Sequence, residues 1–217
     1  MKTIIIKMTD AYDYQSFYET IENCTMIDCR DLEGTRCYLD DSAKSILVDR
    51  LNEYSAEGIH FIDSGNYHYL SLLWLQKITT PFNLVLFDHH PDNQPPSFGE
   101  ITSCGGWVLE ATETLPNLKN VFTYGVGDET PIENIPTDLP IYISIDKDAL
   151  STEFAITDWD QGNMTLDELL KDLESLYSSH QIIGVDICGD LGENAETGGK
   201  VNNQTNHSLF DFLSKKF

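Results

Sequence analysis

Residues 84–94, LVLFDHHPDNQ, run from four consecutive apolar positions directly into Asp88, His89, His90 and Asp92. Carboxylates and imidazoles in that density are donors for divalent cations. In an extended segment, residues two apart face the same side, about 6.5–7 Å from one another. Asp88, His90 and Asp92 therefore share one side, His89 faces away, and Pro91 sets the turn that brings Asp92 back toward the others. A second pair, Asp146 and Asp148, follows the apolar run IYISI under the same rule, which aims the intervening Lys147 away from both carboxylates. His68 opens a further apolar stretch just after Gly65, and completes a set of six candidate ligands. Four carboxylates that close repel unless cations compensate them. Four acids with two imidazoles suit Mn²⁺, with Fe²⁺, Co²⁺ or Zn²⁺ as alternatives. Six ligands are too many for one catalytic ion with an open position, and suit two ions sharing carboxylates. The competing reading is an ordinary polar loop after a strand. It accounts for one D-x-H but poorly for D-x-H-x-D on one strand end and D-x-D on another. His89 reads as a packing or supporting residue, His60, His180 and His207 as ordinary solvated or edge histidines, and Cys104 and Cys188 as small buried apolar side chains.

The elements that position these residues alternate. Residues 3–8, 59–65, 82–88, 120–127, 141–146 and 181–189 read as strands, and 40–55, 67–77, 105–115, 165–180 and the terminal NHSLFDFLSKKF as helices. Thr165 and Glu168 carry a capping-box pattern. This rhythm predicts one α/β domain over residues 1–217, three α/β/α layers around a mostly parallel sheet. Ligands of such sheets bind beyond the carboxyl ends of the strands, where the acids and histidines cluster. Two long loops, 89–106 and 149–163, interrupt the rhythm and are expected to serve the site.

Composition narrows the class of function. The formal net charge is -23, with only 13 Lys and Arg in 217 residues. That argues against nucleic acid as a partner and favours metal ions and a small, cationic substrate. No run approaches the length of a membrane span, so no membrane partner is expected. The five cysteines are odd in number and lack a disulfide spacing, and MKTIIIKMTD is too short in its apolar part for a signal sequence. The expectation is a cytoplasmic protein with reduced thiols.

With these residues in place, the chain resembles the ureohydrolases: arginase, agmatinase and formiminoglutamase, on the arginase/deacetylase fold. SGNYHYLS resembles the first family signature, FDHHPDNQ the second and YISIDKDAL the third, in the family's order. The resemblance implies two Mn²⁺ held by His68, Asp88, His90, Asp92, Asp146 and Asp148, with Asp88 and Asp146 shared between the ions. It implies a hydroxide oriented by Asp92 that attacks an amidine or guanidine carbon, and a homo-oligomeric assembly. The family's guanidinium-binding Glu would fall at Gly189, with Asp190 one step later as its shifted substitute, in both catalytic and substrate-binding roles. Gln94 and Asp128 are the other expected substrate contacts. The first signature has Asn66-Tyr67 where the family has Gly-Asp, and TSCGGWV lacks the family's proton-shuttling His. Two alternatives remain open: a single-zinc amidohydrolase or deacetylase on the same fold, and a metal-binding paralogue without turnover.

Overall fold

The computed structural model describes residues 2–127 and 129–217. Asp128, one of the expected substrate contacts, lies outside the described residues. Seven strands form one parallel sheet: β1 (Thr3–Lys7), β2 (Cys24–Asp28), β4 (Gly58–Phe61), β5 (Phe82–Phe87), β7 (Leu118–Tyr124), β8 (Ile141–Asp146) and β9 (Ile182–Cys188). Their order is β2-β1-β4-β9-β8-β5-β7, and every pairing is parallel. Two short strands, β3 (Tyr38–Leu39) and β6 (Thr102–Ser103), pair antiparallel away from the main sheet. The helices are α1 (Asp41–Leu51), α2 (Leu70–Leu75), α3 (Trp107–Thr114), α4 (Leu166–Ser179) and α5 (Ala195–Leu213).

Strand alternation divides the core in two. On β5, Leu84 and Leu86 join the cluster that contains Leu47 of α1, Trp74 of α2 and Trp107 of α3. Val85 and Phe87 join the opposite cluster with Leu173 of α4 and Leu209 of α5. A buried parallel strand needs apolar residues on both faces, and LVLF supplies them. The central strands depart from this symmetry. Their α4–α5 face is apolar (Ile59, Phe61, Ile143, Ile145, Val185, Ile187), whereas alternation puts His60, Ser144, Asp146, Asp186 and Cys188 on the α2 face. Helix α2 covers that polar stripe and is itself buried along its whole length.

Each expected strand and helix is present, β8 with the expected bounds and the others with shifted ends. The expected strand 59–65 ends at Phe61, after which the chain turns through a 3-10 segment, Gly65–Tyr67, that leads to His68. The Thr165–Glu168 capping box forms and starts α4. The edge strand β2 was not anticipated, because its half-exposed CTMID has no apolar run. The last helix starts at Ala195 rather than near Asn206, and it carries two interior glycines. A Cβ on Gly199 would come within 2.8 Å of the Tyr14 Cβ and carbonyl oxygen, so close packing against the 3-10 turn Ala11–Tyr14 requires a residue of poor helix propensity. No helix among the described residues is long and apolar enough to cross a membrane.

Candidate metal centre

Strands β5 and β8 are neighbours, in register from Asn83↔Ile141 to Phe87↔Ile145, so their carboxyl ends deliver Asp88 and Asp146 side by side. Beyond β5 the chain bends and Asp92 adopts a left-handed backbone, φ 45°. It is held there from α3: the Val108 amide donates to the Asp92 carbonyl at 3.0 Å and Trp107 Nε1 donates to Asp92 Oδ2 at 2.7 Å. Beyond β8, a 3-10 turn Lys147–Ala149 is closed by the Asp148 amide donating to Asp146 Oδ1 at 2.9 Å.

All six expected ligands meet at this point, and they form two groups. His68 Nδ1 lies 2.9 Å from Asp92 Oδ2, 3.2 Å from Asp88 Oδ2 and 3.5 Å from Asp146 Oδ2. His90 Nδ1 lies 2.9 Å from Asp148 Oδ2 and 3.6 Å from Asp88 Oδ1. Asp88 therefore turns one oxygen to each histidine and joins the groups. The hydrogen bonds behind each ring set its free nitrogen. Ser144 Oγ donates to Asp186 Oδ1 at 2.6 Å, so at 2.9 Å it accepts from His68 Nε2 and leaves Nδ1 as the donor atom for an ion. His90 Nε2 faces Asp160 Oδ1 at 3.3 Å, which orients its Nδ1 in the same way.

The donor set fits a divalent cation. His68 Nδ1 and Asp88 Oδ2 are buried, converge on one point and make no hydrogen bond. Asp146 is pushed up to about 7 by burial and by the charges of Asp148 and Asp88. Burial also raises Asp92 and Asp148. Hydrogen bonds to Asp148 and Asp88 push His90 up to about 11. The carboxyl shifts share a setting, acids buried beside other acids, in which divalent cations would favour the charged forms. Lys147 does not compensate them: it points away from both acids, as expected, but from a 3-10 turn rather than by strand alternation, and lies 2.8 Å from Asp190 Oδ2.

Asp190 corrects the sequence reading. It is fully buried and lies outside the cavity floored by Asp88, Asp92, Asp146 and Asp148. Besides Lys147, it accepts from Gln15 Nε2 at 2.7 Å and Asn206 Nδ2 at 3.3 Å, so its carboxylate has no free face for substrate. Gly189 is the cause. Its φ of +84° swings the chain away after β9, and a Cβ there would lie 2.3 Å from Asp146 Oδ1, so a Glu at this position is sterically barred. Cys188 is a buried core residue as expected, and its thiol in addition donates to Asp146 Oδ2 at 3.1 Å. Trp107, Ser144 and Asp186 were missed as supports of the site; lone polar or aromatic residues in apolar runs carry no spacing signal.

The cavity above the acids is about 130 Å³. Gln94 lines it as expected, with Tyr38, Ser103, Cys104 and Trp159 from both long loops and the small β3–β6 sheet.

No family model matches the chain. An uncharacterised protein of Thermotoga maritima is 32% identical over 146 residues, which cover 61% of this chain and 58% of that protein's length. The proclavaminate amidino hydrolase of Streptomyces clavuligerus superimposes with a TM-score of 0.66 over 99% of this chain and 91% of its own, at 13% identity. The arginase of Bacillus caldovelox gives 0.62 over 96% of this chain and 98% of its own, at 15% identity. The chain thus has the arginase-type α/β fold, which it shares with an amidino hydrolase and an arginase.

Proposed function

We propose that this chain is a metal-dependent hydrolase of the ureohydrolase type, cleaving a C–N bond of a small guanidino or amidino compound at a two-ion centre. The observation that supports it best is Asp88, whose two oxygens face two separate histidine-containing ligand groups. His68, Asp88, Asp92 and Asp146 would hold one ion, and Asp88, His90, Asp146 and Asp148 the other. A pair of divalent ions would supply activation of water as a nucleophile and polarisation of the scissile group. The protein's own residues supply the rest. Trp107 holds Asp92 at the cavity floor. Gln94, Tyr38 and Trp159 bound a space that admits only a small molecule. Free thiols at all five cysteines suit the reducing cytoplasm.

Gly189 favours a second reading, a metal-binding protein without turnover, because no carboxylate stands where the family's guanidinium contact falls. Incubation of the manganese- or zinc-loaded chain with guanidino, amidino and acyl-amine compounds separates the two. Release of urea, ammonia or amine above the Asp92→Asn background supports the hydrolase. Tight metal binding with no product from any class supports the second reading.

A further inference from the structure

Beside the six residues the sequence singles out stands a seventh donor. We propose that Cys188 is a direct ligand of the ion held by the His68 group, giving that half of the centre a thiolate and a preference for a softer cation than manganese. The inference rests on the metal-centre reading above and adds a ligand that it does not contain.

Parallel pairing of β8 and β9 sets Asp146 and Cys188 opposite each other at the strands' carboxyl ends. The Cys188 sulfur is 3.1 Å from Asp146 Oδ2, and sulfur, carboxylate oxygen and a His68 nitrogen lie within 4.8 Å of one another. Zinc–sulfur and zinc–oxygen bonds are about 2.3 and 2.1 Å, so two such ligands at a right angle stand about 3.1 Å apart. The separation therefore suits one shared ion of five or six ligands. His68 belongs both to this group and to the one with Asp88 and Asp92, and its buried Nδ1 has no hydrogen-bond partner. The alternative, a cysteine that simply fills space, fits its surroundings poorly. Asp186 precedes it on the same face of β9, and Asp146 is its cross-strand neighbour. As the ion binds, the S–H bond breaks, the sulfur bonds the cation and the proton, now donated to Asp146, leaves to solvent, a net gain of one positive charge among the buried acids.

The two halves then differ in kind. The His90 group offers only imidazole and carboxylate, which suit manganese, whereas thiolate selects zinc or ferrous iron. A mixed pair of ions follows, with the softer one beside Cys188.

Cobalt is the probe. Titrating the metal-free full chain with Co²⁺ counts bound ions through the visible bands, and a thiolate ligand adds a near-ultraviolet charge-transfer band. The expected result is that band in the parent, lost in Cys188→Ser and kept in Cys104→Ser and Cys37→Ser, the two cysteines that line the cavity. Cys188→Ser should also weaken zinc by at least about 10-fold, the scale set by an outer-shell partner, with a smaller change for manganese. Cobalt bound to the parent without the band overturns the role of Cys188 and leaves the metal centre standing. A band that survives Cys188→Ser also overturns it. Failure of cobalt, zinc and manganese all to bind overturns the metal centre and this inference together.

Discussion

Ser144 touches no expected ion, yet it decides which nitrogen of His68 is free to bind one. Its hydroxyl is committed to Asp186, so it takes the Nε2 proton of the ring. Ser144→Ala removes that constraint and should weaken metal binding about 10- to 100-fold, read by competition with a chelator, while the fold stays intact. Unchanged affinity would mean the ring is oriented by the acids alone. Asp190 makes the opposite case. Its sequence position suggests substrate binding, but its surroundings make it the partner of a fully buried lysine. Asp190→Ala should therefore cost about 3–5 kcal/mol of stability in urea denaturation, because Lys147 is left buried without its counter-charge. A variant as stable as the parent would contradict that placement. The gathering of the six expected residues was legible because the carboxyl ends of parallel strands share one edge of the sheet, although Asp92 and Asp148 reach it through a left-handed residue and a 3-10 turn rather than through extended alternation. Asp190 was misread because one glycine with φ +84° swings the chain away after β9.

At the scale of elements, α4 and the site are separable. Thr165→Ala removes the capping box and should lower the denaturation midpoint by an equivalent of about 1 kcal/mol without changing metal content. A parallel loss of metal would tie α4 to the centre. Strand β4 and helix α2 carry a pH signature of their own. His60 is buried and stacked on Trp74, with ring centroids 4.0 Å apart, and burial lowers its pKa to about 3. The unfolded chain protonates this ring near 6.5 and the folded one only near 3, so the folded state loses ground as pH falls through that window. His60→Phe keeps the ring stack and removes the proton. Its stability should fall less steeply than the parent's between pH 6.5 and 3, by up to about 1.4 kcal/mol per pH unit. Identical slopes would show that His60 is not the group responsible. The sequence revealed the strands that bear apolar runs and hid those that do not. The edge strand β2 is half-exposed, and the first half of α5 is masked by two glycines, of which Gly199 is kept for contact with Tyr14.

Across the whole molecule, one face of the sheet is sealed by apolar side chains and the other carries a stripe of polar groups under α2. That stripe runs from His60 through Asp186 and Ser144 to the acids at the strand ends. The chain, with a net charge of -23, thus concentrates part of its negative charge in its least hydrated region. Such an arrangement is stable when a cation completes it, so metal binding and folding should be coupled. The sequence showed which residues gather there, but not the supports behind them, because a serine in a strand or a tryptophan at a helix start has the same appearance in any core. The most direct test is the metal content of the purified full chain after loading and exhaustive dialysis, with its thermal midpoint measured alongside. Two divalent ions per chain are predicted, with a midpoint well above that of the metal-free protein, and Asp88→Asn should lower both together. One ion per chain, none, or an Asp88→Asn variant with unchanged content and midpoint would contradict the two-ion centre.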